Sequence, residues 1–497
     1  MRWGIIIPLL LYLINIISII VIIFFRRKEI STSYAWIMVL IFLPILGFLL
    51  YYFFGSTYKL EMMSKKYKLT EVEDQYMNEL EKYLSDIRVA GDPFKNPKTL
   101  KYEDMILINS KNANCFFSED NKVELLVNGQ SKFPRMFEEI KNAKHSINVM
   151  YFIFKTHDQV GKEFLSLLEQ KASEGVKVKL LYDGLGCLKT KLKDFDGIIK
   201  NGGEVQRFLP SVTRTLMTAN YRLHRKMEVI DGKSCYTGGI NVGDDYLGKY
   251  KHITPWRDTS IRITGSAVKE LQLLFFRDWM FCAKQNKKMR NSFDAVKFMQ
   301  ETEDNMAYFP EPEETGSMGC QVIDGVPGTK YAVLRDSYVK MCTSAKDYLY
   351  IQSPYFVPDE TLLDAIRMAA QSGVDVRMML PGIADKEFVY KVAMSYVEEL
   401  LEAGVKIYLH EGFIHSKTMV IDDFVSSIGT TNLDIRSFRL DYEVNVVTYD
   451  QEFAVQCKDT FLNDIKDSKE VKLEEFKKRG KIQYILECLC RFFSPLS

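Results

Sequence analysis

Residues 224–231 read HRKMEVID, and residues 415–422 read HSKTMVID. The pattern His-x-Lys-x-x-x-x-Asp therefore occurs twice in a chain with 6 histidines. At ordinary Lys and Asp usage a given His falls in that frame roughly once in two hundred tries. Two such matches are not a chance event. The likeness also extends past the polar residues. Val229-Ile230-Asp231 returns as Val420-Ile421-Asp422, and Thr237-Gly238-Gly239-Ile240-Asn241 as Ile428-Gly429-Thr430-Thr431-Asn432. A duplicated unit restricts the fold strongly, because both copies must build the same supersecondary structure.

Aligning the halves extends the repeat. The apolar strand Ser146 to Phe152 matches Asp347 to Ser353, each following an Ala-Lys pair (Ala143-Lys144, Ala345-Lys346). A helix follows, Phe164 to Glu174 in one half and Leu362 to Ser372 in the other. Each stops at a Gly-Val, Gly175-Val176 and Gly373-Val374, where a new strand begins. Those strands are Lys177 to Tyr182 and Asp375 to Leu380. Val205 to Leu209 and Val405 to Leu409 are the next pair, and the motif segment comes after them. This alternation predicts α/β layers in each half. Pro310, Pro312 and Gly316 place the join near residues 291–320.

The N-terminus has another character. Gly4 to Phe25 is 22 residues without a charge, and Tyr34 to Phe54 is a second uncharged run. A helix needs about 20 apolar residues to span a bilayer, so a two-helix transmembrane hairpin is expected. A signal peptide fits poorly: the run is too long, no small-residue cleavage site follows, and a second span comes at once. Arg2, Lys59, Lys65, Lys66 and Lys68 outnumber Arg26, Arg27 and Lys28, which favours a cytosolic C-terminal part. Nine cysteines without a Cys-x-x-Cys pair read as reduced thiols and point the same way. A net charge of +1 gives no bulk basic surface for nucleic acid.

Side chains two apart in a strand share a face, so His224 points with Lys226, and His415 with Lys417. Arg225, Met227 and Val229 point the opposite way. Asp231 and Asp422 end the strands. Gly239 and Asn241, and their partners Thr430 and Asn432, follow where a backbone can approach closely and an amide can hold an oxyanion. Two facing imidazoles and two ammonium groups suit a phosphodiester. One neutral His attacks phosphorus, and the other, protonated, donates to the leaving oxygen. The two Lys and two Asn offset charge on the phosphoryl oxygens. No metal or cofactor is called for; His410 and His415 lack a third ligand at a customary spacing. His145, His157 and His252 read as ordinary structural residues.

The paired motifs resemble the phospholipase D superfamily, and the chain is similar over nearly its whole length to membrane-anchored bacterial cardiolipin synthases. The residues that carry the likeness are AWIMVLIFLPILGFLLYYFFG, Tyr182 to Gly186, Asn220-Tyr221-Arg222, Trp256 to Thr259, Ser353 to Pro358, Asn432 to Ser437 and Glu443 to Asn445. Leu223, Glu228 and Ser260 depart from the pattern seen in relatives, outside the six motif residues. The resemblance implies a bilobal α/β enzyme with one shared active site, formed by His224, Lys226, Asp231, His415, Lys417 and Asp422. It implies His224 as nucleophile, His415 as acid/base, and Asp231 and Asp422 orienting the histidines; the symmetry of the sequence itself does not choose between the two His. Gly239, Asn241, Thr430, Asn432 and Glu443 are the expected phosphate contacts. The implied substrate and product are phosphatidylglycerol and cardiolipin in a bacterial plasma membrane, with no nucleic acid partner.

The expected organisation is a hairpin at 1–58, a charged helical linker at 59–111, duplicated phospholipase D-like α/β lobes at 112–300 and 301–470, and a C-terminal helix at 471–497. That helix is basic at Lys477-Lys478-Arg479-Gly480-Lys481, with Ile482, Ile485, Leu486, Leu489, Phe492 and Phe493 at helical spacing. It either packs on the core or lies on anionic lipid. The sequence carries no sign of oligomeric state.

Overall fold

In a computed structural model, the structure describes residues 3–25, 30–55, 82, 94–209, 220–249, 254–285 and 308–494. Most of the expected 59–111 linker, much of the join between the lobes, and His252 lie outside them.

Fifteen strands form one continuous sheet. Seven come from the first half: β1 (Phe117–Val127), β2 (Ser146–Tyr151), β3 (Lys177–Asp183), β4 (Glu204–Phe208), β5 (Met227–Ile230), β6 (Ser234–Gly238) and β7 (Thr259–Thr264). Seven come from the second: β8 (Met318–Gly325), β9 (Tyr348–Gln352), β10 (Asp375–Pro381), β11 (Lys406–His410), β12 (Thr418–Ile421), β13 (Val425–Gly429) and β14 (Glu443–Tyr449). β15 (Ser468–Val471) adds to the edge beside β11. The order is β15-β11-β10-β9-β12-β13-β14-β8-β1-β7-β6-β5-β2-β3-β4. Read outward from the centre, each half repeats the other strand for strand. The halves meet where β1 pairs antiparallel with β8, across a bulge between Ser118 and Asn121. The duplication is thus one sheet with a pseudo-twofold at its middle.

The strand alternation sorts side chains onto two faces. On the first lobe, Ile147, Val149 and Tyr151 of β2 pack under the helices Asn128–Asn142 and Gln159–Ser173. Met150 points through to the opposite face, where the helices Ala267–Gln285 and Gln451–Asp464 lie over both halves in one core. The sharing of that core locks the lobes together.

Three expectations are corrected. Ile147 pairs with Ile230, and Leu349 with Ile421. Ile147 therefore corresponds to Leu349, one residue away from the register read along the chain. A one-residue slip would send every side chain of the strand to the wrong face. Second, the end of the expected linker belongs to a lobe. Helix Glu103–Ala113 buries Met105 and Ile106 in the core of the second half, with Phe94 and Tyr102. Third, Tyr308 packs on Phe276, while Glu313 and Glu314 pair with Lys233 and Arg262. That segment sits on the first lobe, so the boundary falls just before β8 rather than at residue 300.

Helices Trp3–Phe25 and Ile30–Phe42 occupy the two N-terminal apolar runs and pack on each other. Side chains of the first are described over residues 12–23. Among the described residues, no helix is long and apolar enough to cross a membrane.

Candidate active site

The two motif segments run along the interface between the halves. Each enters its strand only after the Lys, at Met227 and Thr418. The preceding residues are held by the other lobe: the His224 amide donates to the Tyr442 carbonyl at 2.9 Å, and the His415 amide to the Arg257 carbonyl at 2.7 Å. Lys226 then reaches back to the His224 carbonyl, and Lys417 to that of His415 at 2.5 Å. All four side chains, His224, Lys226, His415 and Lys417, are buried or nearly so.

The imidazoles take their carboxylates from across the interface. His224 Nδ1 lies 2.8 Å from Glu443 Oε1 of the second lobe, and His415 Nδ1 lies 2.7 Å from Asp258 Oδ2 of the first. Both acids stand immediately before or at the start of the last strand of their repeat, in structurally matched positions. An Nδ1–H donated to a carboxylate leaves Nε2 as the free ring nitrogen.

This corrects the role expected for Asp231 and Asp422. Asp231 accepts from the backbone N–H groups of Lys144, His145 and Ser146 at 2.7–2.9 Å. Asp422 caps Lys346, Asp347 and Tyr348 in the same way at 2.8–3.2 Å. Both sit at the far ends of β5 and β12 with φ near +50°, a left-handed geometry that Asp tolerates. They tie the motif strand to the neighbouring strand and do not touch the imidazoles.

The remaining expected contacts divide. Thr430 Oγ donates to Glu443 Oε2 at 2.5 Å and accepts from the Val444 amide at 3.0 Å. Gly239 is its partner, and a Cβ there would stand 2.1 Å from Asp258 Oδ1. Gly239 thus makes room for one carboxylate where Thr430 holds the other. Asn241 commits its amide to the Ile153 N–H and the Tyr246 hydroxyl, so it is a loop brace rather than a phosphate contact. Asn432 lines the cleft, its Oδ1 buried without a hydrogen-bond partner. Glu443 serves His224 instead of facing a phosphate.

Two features escaped the sequence reading. Asp258 was visible only as part of Trp-Arg-Asp-Thr; the signal was an acid opening the last strand of each repeat. Arg225, between the motif His and Lys, is fully buried beneath the site. It donates to the Glu443 and Gly325 carbonyls at 3.0 Å and pairs with Asp278 at 2.5 Å. A cleft of about 120 Å³ opens at His224, with Arg222, Lys386 and Arg436 among its walls. Among the described residues, no group of three or more His, Cys, Asp or Glu could hold a metal ion.

Burial of so many cations shapes their titration. Burial, then Lys226 and Lys417, hold His224 well below its ordinary value. Burial and Lys417 bring His415 down to about 4, with Asp258 pulling the other way. Burial lowers Lys226 to about 8 and Lys417 to about 7, and pushes Glu443 up to about 7 against the pull of Lys226. An anion placed among these groups raises each depressed pKa, because it favours the charged form. Binding of tungstate, a tetrahedral oxyanion, at pH 7.5 is therefore expected to take up about one proton. Calorimetry in buffers of different ionisation enthalpy reads this directly; proton release would contradict it.

The fold and the paired His–Lys segments define a bilobal phospholipase D-like α/β protein. A family profile described as "Cardiolipin synthase, PLD-like domain" matches residues 136–279 and 338–465, and "Phospholipase_D-nuclease N-terminal" matches residues 13–56. A cardiolipin synthase of Listeria monocytogenes serotype 4a (strain HCC23) is 37% identical over 495 residues, covering 98% of both chains. The major cardiolipin synthase of Bacillus subtilis (strain 168) is 38% identical over 493 residues, again covering 98% of each. The crystal structure of phosphatidylserine synthase from Haemophilus influenzae Rd KW20 overlays with a TM-score of 0.56 at 17% identity, covering 78% of this chain and 97% of that one. The chain belongs to the bacterial cardiolipin synthase family.

Proposed function

We propose that the chain is a phosphatidyltransferase that joins two phosphatidylglycerol molecules into cardiolipin and glycerol through a phosphohistidine. His224 Nε2 attacks phosphorus, the P–O bond to the headgroup glycerol breaks, and His415 protonates the departing oxygen. His415 then takes the proton from a hydroxyl of a second phosphatidylglycerol. That oxygen attacks phosphorus, the P–N bond breaks, and cardiolipin leaves with His224 restored. Glu443 and Asp258 orient the imidazoles and favour their charged forms as each gains positive charge. The substrate phosphate does the same for His415, so its acid form belongs to the loaded site. Lys226, Lys417 and Asn432 offset charge on the phosphoryl oxygens.

The crossed His–carboxylate pairs carry this reading. They give two equivalent acid–base units on one site that neither lobe forms alone. Family membership supports the choice of lipid. The uncharged N-terminal runs, with Leu13, Ile17, Ile23, Ile41 and Phe42 exposed, support a hairpin that spans the plasma membrane, and the excess of Arg and Lys on the side of the chain ends supports a cytosolic catalytic part.

The test is the purified full chain in detergent–lipid micelles with labelled phosphatidylglycerol as the sole lipid, its products read by mass spectrometry. Cardiolipin with free glycerol is expected. Phosphatidic acid as the main product would make water the acceptor and the protein a phospholipase D. No turnover, with His224→Ala indistinguishable from the wild type, would indicate a lipid-binding scaffold. In the same assay Asp258→Asn is expected to lower transfer by about 10²-fold or more, by destabilising the imidazolium and its tautomer.

A further inference from the structure

The C-terminal helix Lys481–Phe493 is seated the wrong way round for a soluble surface. It packs on the helix Glu387–Glu402, and apart from Cys490, which meets the core, its seat is polar. Glu487 is 1% exposed and accepts from Arg479 and Gln483, each at 2.9 Å. Arg479 also pairs with Glu398 at 2.7 Å, and Lys477 with Glu402 at 2.7 Å. Arg491 stacks over Tyr396 at 4.0 Å and reaches Glu399 at 3.3 Å. The apolar face therefore points outward: Ile482 is 77% exposed, Ile485 55% and Phe492 54%, with Leu486, Leu489 and Phe493 beside them. Had the protein core been this helix's partner, rotation would bring those side chains in and the charges out.

We propose that this face docks the catalytic part onto the surface of an anionic phospholipid bilayer. Lys478 and Lys481, both exposed at the start of the helix, supply the complementary charge, and the apolar stripe with its terminal phenylalanines enters the headgroup–acyl boundary. The seat also connects the surface to the site. Helix Glu387–Glu402 meets the cleft through Lys386 and Val389 at one end and carries the tail through Glu398, Glu399 and Glu402 at the other. One rigid element of 16 residues, about 24 Å long, thus sets the height of the cleft above the lipid. The purpose of this device rests on the proposed lipid substrate; its test does not.

Seven of the nine cysteines are buried, leaving Cys488 and Cys490 on this helix. The full chain with Cys488→Ser and Cys490→Ser accepts a bimane label at Leu489→Cys, or at Ile485→Cys as a second position. It is reconstituted into phosphatidylglycerol vesicles carrying lipids with nitroxides at graded depths. Quenching by the shallow acyl nitroxide, at least twofold stronger than by aqueous iodide, is the expected result. Quenching by iodide alone would place the face in water and overturn the proposal. Protection from both quenchers would mean that protein, such as a second copy of the chain, covers the face, and would overturn it too.

Discussion

His224→Ala is expected to lose phosphatidyl transfer by about four orders of magnitude or more, as removal of a covalent nucleophile does. His415→Ala should fail differently. Given a phosphatidyl ester whose leaving group departs without a proton, it should form the covalent phosphatidyl-enzyme and then stall, because nothing activates the acceptor hydroxyl. Intact-protein mass spectrometry, with the acid lability of a phosphoramidate bond, reads the adduct. The pseudo-twofold gives both histidines the same surroundings in kind, so their order rests on what breaks the symmetry. The cleft opens at His224, where Arg222, Lys386 and Arg436 can receive an anionic headgroup. A covalent adduct on the His224→Ala protein would reverse the assignment.

Arg225→Ala is expected to destabilise the protein by about 3–5 kcal/mol, because it breaks the 2.5 Å ion pair with the fully buried Asp278. The same change removes the donors that hold the Glu443 and Gly325 carbonyls across the interface. Arg225→Lys should not restore the loss, since an ammonium cannot serve three directions with a planar fork. Chemical denaturation followed by fluorescence measures this. The comparison is Arg135→Ala, whose ion pairs with Glu124 and Glu139 are half exposed or looser and worth less than about 1 kcal/mol. Equal effects from the two changes would show that Arg225 is not the clamp.

Much of the architecture was legible in the chain. The Gly-Val stops, the alternating strands and the doubled motif located β2, β3, β9 and β10 and their helices within a few residues, because apolar periodicity and glycine termination are local properties. The strand register was harder. Matching Ser146 with Asp347 satisfied hydrophobic character, yet hydrogen bonding to β5 and β12 pairs Ile147 and Leu349 with the motif strands. Helix Glu103–Ala113 read as linker because its apolar residues form one short run, Met105 to Ile108, of which Met105 and Ile106 gain meaning only against a core supplied largely from residues more than two hundred positions away.

The sequence by itself determined the duplication, the α/β class and the chemical groups of the site, since His and Lys two apart must share a face wherever the segment is extended. Tertiary structure decided which acids serve those groups. A motif places Asp231 and Asp422 near their histidines along the chain, but seven residues of extended backbone separate them by roughly 23 Å, beyond any contact. Only the pairing of one lobe with the other brings Glu443 to His224 and Asp258 to His415. Tertiary structure also decided the fate of the C-terminal helix. Its pattern is equally that of a core helix or an interfacial one, and the ion pairs on Glu398, Glu399 and Glu402 turn its apolar face outward.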